Sequence, residues 1–132
     1  GNGHYLDMDG STKDAGRIDT SMTFDLVAGQ TYTVSFDLGK NGSGSETLTI
    51  GLGSQSVDFS FSGIYALLTP MTFSFTPLAS LSGARLFFEA AGGDNQGPVL
   101  DNVQLSVSAA ALLVSGMAGI AVVGRRRRTS KA

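Results

Sequence analysis

The chain has 132 residues, enough for one domain around one modest core and too few for a second. It contains no cysteine and no tryptophan, which excludes disulfide frameworks, thiolate metal sites and cysteine nucleophiles together. The net charge of −2 conceals a split: residues 1–106 carry all 11 acids but four cations (4 − 11 = −7), whereas residues 107–132 carry five cations and no acid. An acidic folded part is repelled by phosphate backbones, so nucleic acid is excluded as a partner.

Taken in chain order, the first run is a short strand over His4–Met8. It leads into Asp7-Met8-Asp9-Gly10-Ser11 with Asp14, which resembles part of a calcium loop but lacks a third acid before the glycine and the distal Glu. A solvated acidic turn is the plainer account. From Arg17 to Leu26, Ile18, Met22, Phe24 and Leu26 alternate with polar residues, and one strand is expected there. From Thr31 to Leu38 the alternation is cleanest, with Tyr32, Val34, Phe36 and Leu38 on one face and Thr31, Thr33, Ser35 and Asp37 on the other. The same period of two recurs in Leu48/Ile50/Leu52, Val57/Phe59/Phe61 and Met71/Phe73/Phe75, and further strands are expected over Ala84–Ala90 and Val99–Val107.

Glycine-rich turn signals separate these runs, among them 39–44, 51–54 and 92–95. About eight short strands, each apolar on one face, predict an all-β fold: an antiparallel β-sandwich of two packed sheets, with a jelly roll as the leading architecture.

The last strand runs into 107–124, VSAAALLVSGMAGIAVVG, which has no charged residue. As a helix rising ~1.5 Å per residue it would extend roughly 27 Å, close to the ~30 Å hydrocarbon core of a bilayer. Arg125, Arg126, Arg127 and Arg128 follow at once, and cations beside a span are retained on the cytoplasmic side, which places the sandwich outside. The alternative is a buried core helix with a solvated basic tail, although such helices seldom lack a polar stripe. Ala111, Ser115 and Gly119, four apart, would admit a second helix, but so many small residues make the spacing uninformative. The chain thus divides into a sandwich (1–106), a transmembrane or sorting helix (107–124) and a basic cytoplasmic tail (125–132). An export signal is expected upstream of Gly1.

This order of a Gly- and Ala-rich apolar run and then an arginine cluster resembles the tail of the PEP-CTERM proteins, exported bacterial proteins handled by an exosortase. The resemblance assigns the anchor to Ala109, Gly116, Gly119, Gly124 and Arg125–Arg128. The Pro-Glu-Pro signature of that family is absent. Ser106-Val107-Ser108-Ala109 stands in its place, which leaves a retained tail as the alternative to cleavage. In the folded part, Tyr5-Leu6-Asp7-Met8-Asp9-Gly10-Ser11-Thr12, the AGQTYTVSFDL strand at 28–38 and the closing GPVLDNVQLS at 97–106 resemble galactose-binding-like sandwiches. In those relatives further strands precede the Tyr-Leu-Asp segment. The resemblance implies passage through a bacterial inner membrane to the cell surface or extracellular matrix, an exosortase as partner, and an exopolysaccharide-rich setting.

Among individual residues, Asp101 shares parity with Val99, Val103 and Leu105 and is therefore expected on the core side, where a carboxylate needs donors or a cation. Capping of the Gly92–Gly97 loop would satisfy it. A structural Ca²⁺ held by Asp101 with Asp7 or Asp9 is the sharper alternative, and the galactose-binding-like resemblance implies such an ion. Sugar binding calls for exposed aromatics, and Tyr5, Tyr65 and Phe87 are the candidates. Phe87 could equally pack on a neighbouring strand. His4 is the single histidine, no nucleophile elbow is present, and no spacing singles out a carboxylate pair from Glu46, Glu89 and the aspartates, so no catalytic residues are assigned. The expected function is a non-catalytic surface or matrix protein anchored by its tail. The alternatives are a tethered carbohydrate-binding module and a polysaccharide-active hydrolase fragment.

Overall fold

The computed structural model describes residues 3–9, 13–40, 42–62 and 68–108. Among them run ten strands: β1 (Leu6–Asp7), β2 (Arg17–Asp19), β3 (Phe24–Leu26), β4 (Tyr32–Lys40), β5 (Ser45–Leu52), β6 (Gln55–Ser62), β7 (Thr69–Phe75), β8 (Leu81–Ala84), β9 (Leu86–Ala90) and β10 (Pro98–Val107). Every pairing is antiparallel. One sheet has the order β1-β10-β4-β7, a second has β2-β9-β5-β6, and β3 with β8 forms a small third sheet.

Period-two patterning builds the core. Tyr32, Val34, Phe36 and Leu38 of β4 face Leu48, Ile50 and Leu52 of β5 and Leu86, Phe88 and Ala90 of β9 across the sandwich. The alternate residues turn outward and pair across strands through hydroxyls: Thr31 with Thr76 at 3.0 Å, Thr33 with Ser74 at 3.1 Å and Thr47 with Ser60 at 2.9 Å. Phe36 stands edge-on to Phe88 with ring centroids 5.3 Å apart, which ties the two sheets together at mid-core.

The run 17–26 forms two strands where its alternation predicts one. Thr20 Oγ1 donates to the Met22 carbonyl at 2.8 Å, and Arg85 Nη1 donates to the carbonyls of Thr20 and Ser21. Those bonds take the backbone groups out of ladder pairing, and Met22 is left exposed. The run 84–90 also divides. The chain changes sheets at Arg85, so that β8 pairs with β3 while β9 pairs with β2 and β5.

β10 is irregular at its middle. Its register with β4 shifts between Asp101 and Gln104, and Asn102 takes a φ of 53°, the left-handed region. Asn102 is held there by its own N–H donating to Asp101 Oδ1 (2.7 Å) and its Nδ2 donating to Asp37 Oδ2 (2.6 Å).

The expected apolar helix and arginine tail lie outside the described residues, apart from Val107 and Ser108. No helix among the described residues is long and apolar enough to cross a membrane.

Candidate functional site

The bulge corrects the expected orientation of Asp101. Asp101 pairs with Asp37, on the face opposite Phe36 and Leu38, while Leu100 and Leu105 pair with Leu38 and Val34 and turn to the core. Strict alternation from Val99 therefore breaks at Asn102, and Asp101 stands on the outer side of the first sheet. There it lines an open hollow of about 290 Å³ with Gly3, His4, Tyr5 and Leu68. Tyr5 is 64% exposed and stands one residue before β1. An exposed phenol ring beside a carboxylate is a combination that can stack on a pyranose face and accept hydroxyl hydrogens.

A second group of charges closes the core at one end of the sandwich. Glu46 continues the inward parity of Leu48 and Ile50, and Lys40 continues that of Phe36 and Leu38, so both are drawn inward where polar residues would normally turn out. Lys40 Nζ lies 3.5 Å from Glu46 Oε1 and donates to the Gly44 carbonyl at 2.5 Å. Asp9 is brought alongside by Met8 N–H donating to the Pro98 carbonyl at 3.0 Å. The approach depends on Gly97, since a Cβ there would stand 2.7 Å from Asp9 Cγ. Asp94 joins from the exposed loop before β10, its Oδ1 accepting from Gln96 N–H at 2.9 Å.

Asp9, Glu46 and Asp94 each offer one oxygen, and these oxygens lie within 4.8 Å of one another. Asp9 is 4% and Glu46 7% exposed. Burial raises the pKa of Asp9, and the neighbouring Asp7 and Asp94 charges raise it further. Burial also raises that of Glu46, opposed by the Lys40 ammonium. Three ionised carboxylates against one ammonium leave a formal charge of −2 in a half-dry corner. Hard oxygen donors in that arrangement suit a hard divalent cation.

Of the expected calcium ligands, Asp9 belongs to this group. Asp7 lies beside it, its Oδ1 accepting from Asp9 N–H at 3.3 Å, and Asp101 lines the separate hollow under Tyr5. The sequence does not single out Glu46, Lys40 or Asp94 as members of a site, although the core parity of Lys40 and Glu46 is legible in the alternation of their strands. Of the expected sugar-stacking aromatics, Tyr65 lies outside the described residues. Phe87 is on the other sheet, with the Arg17 guanidinium 3.9 Å over its ring and Gly51 beneath, where a Cβ would stand 2.1 Å from the ring. Phe87 therefore packs against its neighbours instead of offering a free face. Arg17 is itself engaged by Asp19 (3.0 Å) and Glu89 (3.2 Å), and the hydrogen bond from Arg17 lowers the pKa of Asp19.

No protein-family model matches the chain, and no curated protein matches it. Among solved structures, the chain is similar to one described as "Family 16 Carbohydrate Binding Module-2", with a TM-score of 0.48 and 15% identity over 73% of this chain and 72% of that one. It is also similar to one described as "CBM4 structure and function", with a TM-score of 0.44 and 16% identity over 71% of this chain and 73% of that one.

Proposed function

We propose that this chain is a non-catalytic β-sandwich, wound as a jelly roll, that is exported and held at the outer face of a bacterial membrane by residues 107–124, with Arg125–Arg128 on the cytoplasmic side and an exosortase as the enzyme that would process it. The observation that carries this reading is the junction. β10 stays paired with β4 through Val107, and Ser108 N–H donates to the Thr31 carbonyl at 2.9 Å, so the uncharged run begins at the edge of the sandwich with no spacer. With Val107 and Ser108 held by the sandwich, residues 109–124 at ~1.5 Å each give roughly 24 Å, a short span whose lack of charge and following arginines support the reading.

The test is sidedness in cells. With an export signal supplied, Ser43→Cys should react with a membrane-impermeant maleimide added outside, and Thr129→Cys should react only after the inner membrane is opened. Recovery of the chain in the soluble fraction, with both positions reactive in lysate alone, would sink the reading. Intact mass of the mature protein then separates a retained tail from a cleaved one.

A second reading is favoured by the hollow under Tyr5: a tethered module that binds an exopolysaccharide. Tyr5 supplies a free ring face and Asp101 an acceptor, both on the sheet face that bears the Thr and Ser ladder. Beside either reading, Asp9, Glu46 and Asp94 would hold a structural Ca²⁺ that offsets their mutual repulsion and pins the loop 91–97 to the end of the sandwich.

A further inference from the structure

We infer that one end of the sandwich is a membrane-contact surface, seated in the bilayer interface through Leu78, Val27 and Val107. This rests on the anchoring reading above and adds to it a lipid-binding face within the folded domain. The loops that meet at that end are identified by their mutual bonds. Gly29 N–H donates to the Pro77 carbonyl at 2.8 Å, Ala28 N–H to Ser80 Oγ at 3.0 Å, Gln30 Nε2 to the Ser108 carbonyl at 3.2 Å, and Gln55 Nε2 to the Thr76 carbonyl at 3.3 Å. The end is thus built from 27–31, 53–56, 76–81 and the exit of β10.

Those segments contain no charged residue, although Asp25 and Asp58 each stand two residues from one of them. They do carry large apolar side chains in water: Leu78 is 94%, Val27 58% and Val107 53% exposed. Leu78, Val27 and Val107 are not part of the buried core, although Leu26, Tyr32 and Phe75 beside them are. The chain beyond Ser108 fixes the occupant. Ala109 begins the remainder of an 18-residue uncharged run, so if that run enters lipid, the surface it leaves is within one residue of the headgroups.

The densest cluster of acids lies away from this end. The acidic corner of Asp9, Glu46 and Asp94 lies at the opposite end, beside Lys40. Tyr32 and Lys40 bound the nine-residue β4, and the eight rises of ~3.3 Å between them separate the two ends by roughly 26 Å. A sandwich of formal charge −7 over residues 1–106 would be repelled from an anionic surface through its acidic corner, whereas at this end the charges stand to one side, where Arg17, Asp19 and Arg85 share a hollow with Gly53, Ser54 and Leu81.

The experiment uses the full chain in lipid nanodiscs doped with a lipid spin-labelled at its headgroup. The chain has no native cysteine, so Leu78→Cys and Ser43→Cys give single fluorophore positions at the two ends. The fluorophore at 78 should be quenched roughly twofold or more by the spin label, consistent with interfacial depth, while that at 43 is unaffected. Adding Val27→Asp should relieve the quenching at 78 without moving the thermal transition of the sandwich. Equal, weak quenching at both positions in chain that co-elutes with the discs would overturn the contact surface and leave the anchor intact. Chain that elutes free of lipid would remove the anchor, and the contact surface with it.

Discussion

Lys40 Nζ stands 3.5 Å from Glu46 Oε1 at the closed end of the core, and both side chains are withdrawn from solvent. Each occupies a position whose strand parity calls for an apolar residue. Removing the cation alone would strand a buried carboxylate among two others. Lys40→Met is therefore expected to destabilise the sandwich by about 3 kcal/mol at neutral pH, read as a lower midpoint in urea unfolding. Lys40→Met with Glu46→Leu should recover most of that loss, since the paired replacement removes both desolvated charges.

The pH dependence follows from Asp9 and Glu46, both raised by burial above their ordinary values of 3.8 and 4.5. A raised carboxyl binds its proton more tightly folded than unfolded. The stability it contributes is present below the unfolded pKa and is lost as pH rises through the folded one. Without divalent cations, the melting temperature should fall as pH rises above about 4.5 and through the raised pKa values of these two groups. Asp9→Asn should flatten that fall. A profile rising across the same window in chelator would contradict the assignment.

Calcium should act against that trend. At a concentration a hundred times its Kd, a site formed by Asp9, Glu46 and Asp94 would stabilise the fold by about 2.7 kcal/mol, and chelator would abolish the gain. Asp94→Asn should weaken the response while keeping an Oδ1 that can accept from Gln96 N–H. Asp101→Asn should leave it unchanged, because Asp101 lies in the other hollow. A melting temperature indifferent to millimolar Ca²⁺ and to chelator would eliminate the site.

The glycan reading predicts that Tyr5→Ala abolishes saturable binding to an exopolysaccharide with little effect on stability, the ring being exposed and outside the core. Phe87→Ala should do the reverse. It should destabilise by about 1–3 kcal/mol through lost packing against Arg17 and Gly51, and leave glycan affinity unchanged. Binding retained in Tyr5→Ala would dismiss the hollow as a sugar site.

Much of the sandwich is legible in the sequence, because burial on one face of a sheet imposes a period of two that no loop imitates for long. Tyr32 to Leu38 shows it best, and the structure buries all four alternating apolar residues. The departures come where a polar side chain competes with the ladder. Thr20 and Arg85 divide one strand by taking its backbone groups, and Asn102 resets the parity of β10 by adopting a conformation that its sequence neighbours do not announce. That reset carries Asp101 from the expected inner face to the outer one. The acidic corner is hidden for a different reason. Asp9, Glu46 and Asp94 are 37 and 48 residues apart in sequence and meet through topology, so the single local signal is the pair of charges sitting on core parity.

The spacer-free exit at Ser108 also has a mechanical meaning. β10 is bonded to β4 along pairs from Pro98 to Val107 and to β1 on its other side. A pull applied through residue 108 along the strand axis would load in shear first the pairs from Gln104 to Val107 and then, beyond the bulge, those from Pro98 to Asp101. A tether at a hairpin tip would unzip the sheet one pair at a time. On the proposal that residues 107–124 anchor the chain, the load would therefore enter on a strand paired on both sides.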